Sequence, residues 1–130
     1  MIVMIDDDID DFDIISEALK AVKPTIELTY FENANQALSE LPGIMPRPHV
    51  ILLDINMPRM DGLEFLAEFR KIETMTKVPV IVLSTASGDI EKRTCLKLGA
   101  AQFISKPTSW SDILETAKYI LQVEEGSVKI

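Results

Sequence analysis

Two hydrophobic patterns alternate along this chain. Short unbroken apolar runs occupy residues 2–5 (IVMI), 49–54 (HVILLD) and 78–84 (VPVIVLS). Runs of this length and β-branched content predict strands buried on both faces, as in a parallel sheet. Residues 27–31 (ELTYF) and 101–105 (AQFIS) have strand composition as well. Between these runs the apolar positions recur every three or four residues. Phe12, Ile15, Leu19 and Val22 form one stripe, stopped by Pro24. Asn33 is placed to cap a short helix through Ala34, Ala37, Leu38 and Leu41, after which LPGIMPRP (41–48) reads as a loop. Leu63, Leu66, Phe69 and Ile72 share one face of a third helix. DIEKRTCLKLG reads as a fourth, ended by Gly99, and SWSDILETAKYILQV as a fifth; a loosely held tail follows. Five strands alternating with five helices predict an α/β fold with a parallel sheet.

Length and composition narrow the class. A chain of 130 residues is one domain, and 47% apolar content is ordinary for a globular protein. No apolar run approaches the ~18 residues that would span a bilayer, and no secretory signal is visible, so a cytoplasmic location and no membrane insertion are expected. Cys95 is the only cysteine, which leaves no internal disulfide and no multi-thiolate zinc site. His49, the only histidine, has no nucleophile paired with it. The net charge of −8 argues against direct nucleic-acid binding, which needs a basic stripe to displace counterions.

In parallel α/β sheets, ligands bind at the carboxyl ends of the strands, beside the topological switch point. Asp6 and Asp7, Asp54, Ser84 and Lys106 stand at the ends of the first, third, fourth and fifth predicted strands. Each has a plainer reading: a helix cap for Asp6 or Asp7, a strand-end hydroxyl for Ser84, a loop lysine for Lys106. Their joint placement favours chemistry. Three carboxylates suit a hard divalent cation such as Mg²⁺, and a strand-end carboxylate can attack phosphorus to form an acyl phosphate. A metal, an ammonium and a hydroxyl would balance the phosphoryl oxygens.

These segments resemble the receiver domains of two-component response regulators, with their CheY-like, flavodoxin-type fold. IVMIDDD matches the first strand with its acidic pair, VILLDINMPRMDGLEFL the phosphoacceptor strand and loop, VPVIVLSTAS the hydroxyl strand, and GAAQFISKP the lysine strand. The spacings of 30 residues from Asp54 to Ser84 and 22 from Ser84 to Lys106 are also those of the family. The resemblance implies a doubly wound five-stranded sheet of order 2-1-3-4-5 with five helices. It implies a receiver over residues 1–122, a tail over 123–130 and no output domain. Asp54 would accept phosphate from a histidine kinase or histidine phosphotransfer protein, without the chain being an enzyme beyond its own phosphotransfer and slow dephosphorylation. Mg²⁺ would be held by Asp7, Asp54 and the main-chain carbonyl of Asn56, with Asp6 acting through water or an outer contact. Ser84 and Lys106 would each meet a phosphoryl oxygen, and the Lys106–Pro107 peptide would be cis. Phosphorylation would draw Ser84 inward and let Phe103 rotate, changing the surface of the fourth helix, fifth strand and fifth helix for a protein partner. A homodimer through that surface is an implied assembly. The wording DDDIDD with LLDINMPRMDGLEFL is most like small stand-alone regulators of the phytochrome-associated type.

Three positions depart from the common family pattern: Ser84 where threonine is usual, Thr85 where alanine is frequent, and Phe103 in place of tyrosine. Two rival patterns fit less well. A haloacid-dehalogenase-type phosphatase would use Asp6 and Asp8 but lacks an acidic pair after a further strand, offering only Asp112 and Glu115 on a helix. An EF-hand would use Asp6, Asp8, Asp10 and Glu17, yet Asp11 stands where its turn needs glycine. The acidic run therefore divides. Asp6 and Asp7 belong to the pocket, Asp8, Asp10 and Asp11 to a helix start where negative charge is favoured, and Asp13 to the solvent face.

Overall fold

The computed structural model describes residues 1–57, 61–85 and 88–128; the middle of the loop INMPRMDG, the final AS of VPVIVLSTAS and the last two tail residues lie outside them. Five strands, β1 (Ile2–Ile5), β2 (Leu28–Phe31), β3 (Val50–Leu53), β4 (Val80–Ser84) and β5 (Gln102–Ser105), form one sheet in the order β2-β1-β3-β4-β5. All pairings are parallel, with Ile2 level with Leu28 and Val50, and Val82 level with Phe103. The helices are α1 (Ile9–Val22), α2 (Ala34–Glu40), α3 (Gly62–Phe69), α4 (Asp89–Lys97) and α5 (Trp110–Glu124), with 3₁₀ turns at Leu41–Gly43 and Glu73–Met75.

Because strand side chains alternate in direction, each central run feeds two cores at once. Val3, Ile5, Ile51, Leu53, Val80 and Val82 pack with Phe65, Leu66 and Phe69 of α3 and Cys95 of α4. Ile2, Met4, Val50, Leu52, Ile81 and Leu83 pack on the opposite face with Ile15, Ala18 and Leu19 of α1 and Ile113, Ala117 and Ile120 of α5. Complete burial of such side chains stabilises by roughly 1.5–3 kcal/mol each, so the sheet is a rigid platform.

Side chains start four of the helices. Asp8 accepts from Asp10 N (2.9 Å), Asn33 from Gln36 N (3.0 Å), Asp61 from Glu64 N (2.9 Å) and Ser109 from Asp112 N (3.1 Å). The cap of α1 is thus Asp8, which leaves Asp6 and Asp7 for the strand end. Helix α3 stops at Phe69, short of Ile72, because Arg70 turns away to reach the carbonyls of Thr76, Val78 and Gly99. Gly99 ends the α4 segment at φ +102°, the left-handed conformation that suits glycine. Helix α5 runs to Glu124, and Val128 packs against the α1–α5 core, so residues 123, 124 and 128 are held rather than loose. Among the described residues no helix is long and apolar enough to cross a membrane.

Candidate functional site

The sheet's hydrogen-bond ladder carries the polar residues to one place. Beyond the strands themselves, Asp6 N donates to Phe31 O (3.1 Å), Asp54 N to Ile5 O (2.9 Å) and Lys106 N to Ser84 O (3.0 Å). Residues that follow different strands are therefore in register at one edge, with rigid backbone beneath each. Gly62, which opens α3, sits against the backbone behind Asp54. A Cβ there would overlap Ile55 Cα and lie 2.8 Å from Asp54 O, so the close approach of α3 to this strand end requires glycine.

Three carboxylates meet here: one oxygen each from Asp6, Asp7 and Asp54 lie within 4.8 Å of one another. Asp6 is fully buried, Asp54 nearly so, and Asp7 exposed. Asp8 N donates to Asp6 Oδ1 (2.9 Å) and Asn56 N to Asp54 Oδ1 (3.1 Å). Lys106 Nζ donates to Asp6 Oδ2 (2.9 Å) and lies 3.6 Å from Asp54 Oδ2. These contacts do not balance the cost of burying the charges. Burial pushes the Asp6 carboxyl up to about 6 despite the Asp8 amide and Lys106. Burial also raises the Asp54 carboxyl, with the Asn56 amide and Lys106 pulling the other way and Asp7 adding to the rise. Burial pulls the Lys106 ammonium down, but hydrogen bonds to Asp11 and Asp6 outweigh it and the net shift is upward. Carboxylates crowded beyond what one ammonium neutralises form a donor set compatible with a divalent metal that prefers oxygen.

Ser84 is fully buried at the end of β4, and its Oγ accepts from Asn56 Nδ2 (3.4 Å). Asn56 thereby touches both the Asp54 carboxylate and the β4 hydroxyl. Phe103 is 9% exposed, its ring packed in the α2–α4 core, and Thr85 is exposed beside the site.

Sequence reasoning missed two members of this cluster. Asp11, assigned to the helix start alone, donates its position in the first turn of α1 to a second role: its Oδ2 accepts from Lys106 Nζ at 2.6 Å. The available signal was helical spacing, since Asp11 lies four residues before the buried Ile15 and so faces the sheet. Tyr30 donates its hydroxyl to Asp6 O (2.6 Å) while its ring stacks on Phe12 at 4.4 Å between centroids. One expectation is corrected: the cis peptide among the described residues is Met45–Pro46, and Lys106–Pro107 is trans. Trans is the intrinsically favoured form of an X–Pro bond, and Lys106 reaches Asp6 from it. The EF-hand pattern fails because Asp6 follows a strand rather than a helix and α1 begins at Ile9, which leaves no room for a twelve-residue loop from Asp6 to Glu17. Asp112 and Glu115 lie on α5, so the phosphatase pattern lacks its second acidic pair.

Known proteins carry the same arrangement. The model of the response regulator receiver domain matches residues 2–118. A transcriptional regulatory protein CpxR homologue from Haemophilus influenzae is 31% identical over 93% of this chain and 50% of its own length, so the chain spans about half of that relative. Response regulator Rcp1 of Synechocystis is 27% identical over 92% of this chain and 85% of its own. The phosphorylated cyanobacterial phytochrome response regulator RcpA superposes with a TM-score of 0.88 at 28% identity, covering 98% of this chain and 95% of that one. An Mn²⁺-bound form of Rcp1 superposes with a TM-score of 0.81 at 26% identity, covering 99% and 96%. The parallel 2-1-3-4-5 sheet, the acidic strand ends and these matches make the chain a member of the response regulator receiver domain family, the aspartate-phosphorylated modules of two-component signalling.

Proposed function

We propose that this receiver takes a phosphoryl group on Asp54 from a phosphohistidine of a histidine kinase or phosphotransfer protein in a Mg²⁺-dependent reaction. The observation that carries the reading is the setting of the Asp54 carboxylate: Oδ1 held by Asn56 N, Oδ2 turned toward Lys106, and the Asp6 and Asp7 oxygens within 4.8 Å. An Asp54 oxygen attacks phosphorus, the phosphorus–nitrogen bond of the donor breaks, and its electron pair leaves with the imidazole, which takes a proton from solvent. Asp7, Asp54 and the main-chain carbonyl of Asn56 would hold Mg²⁺, with Asp6 in an outer role. When bound, the ion supplies positive charge against the phosphoryl oxygens. Lys106 pairs with one of those oxygens and Ser84 donates to another, so that charge developing in transfer meets fixed donors.

The signal would pass through Ser84 and Phe103 to the surface of α4, β5 and α5, where a protein partner or a second copy of the chain reads it. With a ring that lacks a hydroxyl, Phe103 would act by packing alone. The chain would work in the cytoplasm, where a kinase donor is available, without contacting nucleic acid directly and without chemistry beyond its own phosphotransfer and slow dephosphorylation.

Incubation with acetyl phosphate and Mg²⁺, followed by intact mass measurement, tests this. One added phosphoryl group is expected, absent from Asp54→Asn and lost with EDTA. An unchanged wild-type mass would sink the reading, and steady hydrolysis of a general phosphomonoester would redirect it to a phosphatase.

A further inference from the structure

We infer that Asp11 is a positioning residue for phosphoryl transfer: its carboxylate retains the Lys106 ammonium in the resting protein and must release it when a phosphoryl group arrives at Asp54. The inference rests on Asp54 being the acceptor, as proposed above.

An ammonium has three N–H donors. In this site two are committed, to Asp11 at 2.6 Å and Asp6 at 2.9 Å, while Asp54 Oδ2 at 3.6 Å lies beyond hydrogen-bond range. The group that has to meet the phosphoryl oxygens is therefore held slightly away from the acceptor. The two retaining acids differ in their freedom to let go. Asp6 is fully buried and its other oxygen is fixed by Asp8 N. Asp11 has a side chain 34% exposed, in the first turn of α1. Of the two it is the partner that solvent reaches, and so the one open to exchange for another anion.

The surroundings support the exchange. Lys106 and Asp11 border one cavity of about 250 Å³ between α1 and α5, lined otherwise by Met4, Ile15, Leu83 and Ile113 among others. Apolar walls strengthen the ion pair relative to water, and the open volume leaves the lysine stem room to move. Asp10 provides an internal comparison. It shares the first turn and its charge but is exposed on another side of the helix and is not among the ion-pair partners of Lys106. A role confined to the helix terminus would be common to both residues, whereas contact with the lysine belongs to Asp11.

The test compares initial rates of phosphorylation by acetyl phosphate at saturating Mg²⁺ in the wild type, Asp11→Asn, Asp11→Glu, Asp10→Asn, Lys106→Met and the Asp11→Asn/Lys106→Met double variant. Freeing the lysine in Asp11→Asn is expected to raise the second-order rate constant for phosphorylation about 3- to 10-fold, within the range of couplings between contacting residues. Asp11→Glu should return the rate toward wild type, and Asp10→Asn should stay within about twofold, as expected of a site without that contact. In the Lys106→Met background the effect of Asp11→Asn should shrink to under about twofold, because the group through which it acts is gone. An equal gain in both backgrounds would assign the effect to plain repulsion of the anionic donor and overturn the inference. So would an unchanged or slower Asp11→Asn. A wild type that takes no phosphoryl group overturns the parent reading and this one with it; a labelled wild type with an indifferent Asp11→Asn overturns only this one.

Discussion

The two ends of the sheet treat buried acids in opposite ways. At the carboxyl end, Asp6, Asp11 and Asp54 surround one ammonium, that of Lys106, Asp7 adds a further carboxylate beside Asp6 and Asp54, and burial raises Asp6 to about 6. At the amino end, Glu124 of α5 is the acid at the centre. Lys23 Nζ lies 3.1 Å from Oε1, and Met1 N and His49 Nδ1 lie 3.5 and 3.6 Å from Oε2. Burial works against the Glu124 charge there too, but Lys23, the terminal ammonium and His49 outweigh it and hold its carboxyl below the usual range. Thus one end satisfies its charge within the chain, joining α1, β1 and α5. The other leaves a demand for positive charge that something from outside must meet. Charge satisfied within the chain and charge left open to a ligand are separated along the strand axis.

Metal binding should break the symmetry most. At about a hundredfold its Kd, Mg²⁺ should add about 2.7 kcal/mol to the unfolding free energy, read as a rise in Tm or urea midpoint. Glu124→Gln should keep that increment. Asp7→Asn should lose most of it, while Asp10→Asn, at the helix start, should change the Mg²⁺ Kd by less than about twofold, as expected of a charge outside the donor set. A loss in Asp10→Asn as large as that in Asp7→Asn would mean the acidic run acts as one cluster.

Single substitutions in the metal-free protein should differ in sign. Glu124→Gln should cost about 1–2 kcal/mol, less than a fully buried pair because Lys23 is partly exposed. Asp54→Asn should leave urea stability equal or higher, since it removes an excess buried carboxylate. Destabilisation by Asp54→Asn comparable to that by Glu124→Gln would contradict the division between the two ends.

The smallest effect is the slope with pH. Asp6 is raised in the folded state, so the native protein binds more protons than the unfolded chain between about pH 4 and 6. Its contribution to stability is full below the unfolded value and is lost as pH rises through about 6. Glu124 is lowered, so its contribution is present above the usual carboxylate range and lost as pH falls through its folded value. Without metal, stability from the site should rise on acidification from pH 7 to 5, by at most about 1.4 kcal/mol per pH unit for one proton. Asp6→Asn should flatten that rise, Glu124→Gln should keep it, and protection by Mg²⁺ should weaken over the same interval as protons compete for the ligands.

Much of this could be read from residue patterns because strands buried on both faces announce themselves as unbroken apolar runs, and a parallel sheet then dictates which ends converge. Asp6, Asp54, Ser84 and Lys106 were found on that basis. Asp11 escaped because the stripe through Phe12, Ile15 and Leu19 explains α1 without it, and an acid in a first turn already has a local reason to be there. The end of α3 was misplaced because Ile72 continues the helical spacing, whereas Arg70 is drawn off by carbonyls distant in sequence. Met75, almost fully buried in a 3₁₀ turn, belongs to no periodic run at all. Contacts between segments set these features, and local pattern does not carry them.

Helix α4 is clamped unevenly, which has a mechanical result. Arg70 Nη2 donates to Gly99 O at 2.6 Å just past its last turn, and Cys95 is the residue it buries. Its opening residue Gly88 offers no side-chain cap, and Ile90 in the first turn is 78% exposed. If such a helix tilts, the Arg70 end is the natural pivot and the end that opens at Gly88 the one that moves. With a rise of 1.5 Å per residue, a tilt of about 10° about that pivot displaces the far end by about 2 Å. A pivot of that kind would change the outer surface of α4 by about the length of a hydrogen bond while the sheet beneath it kept its register.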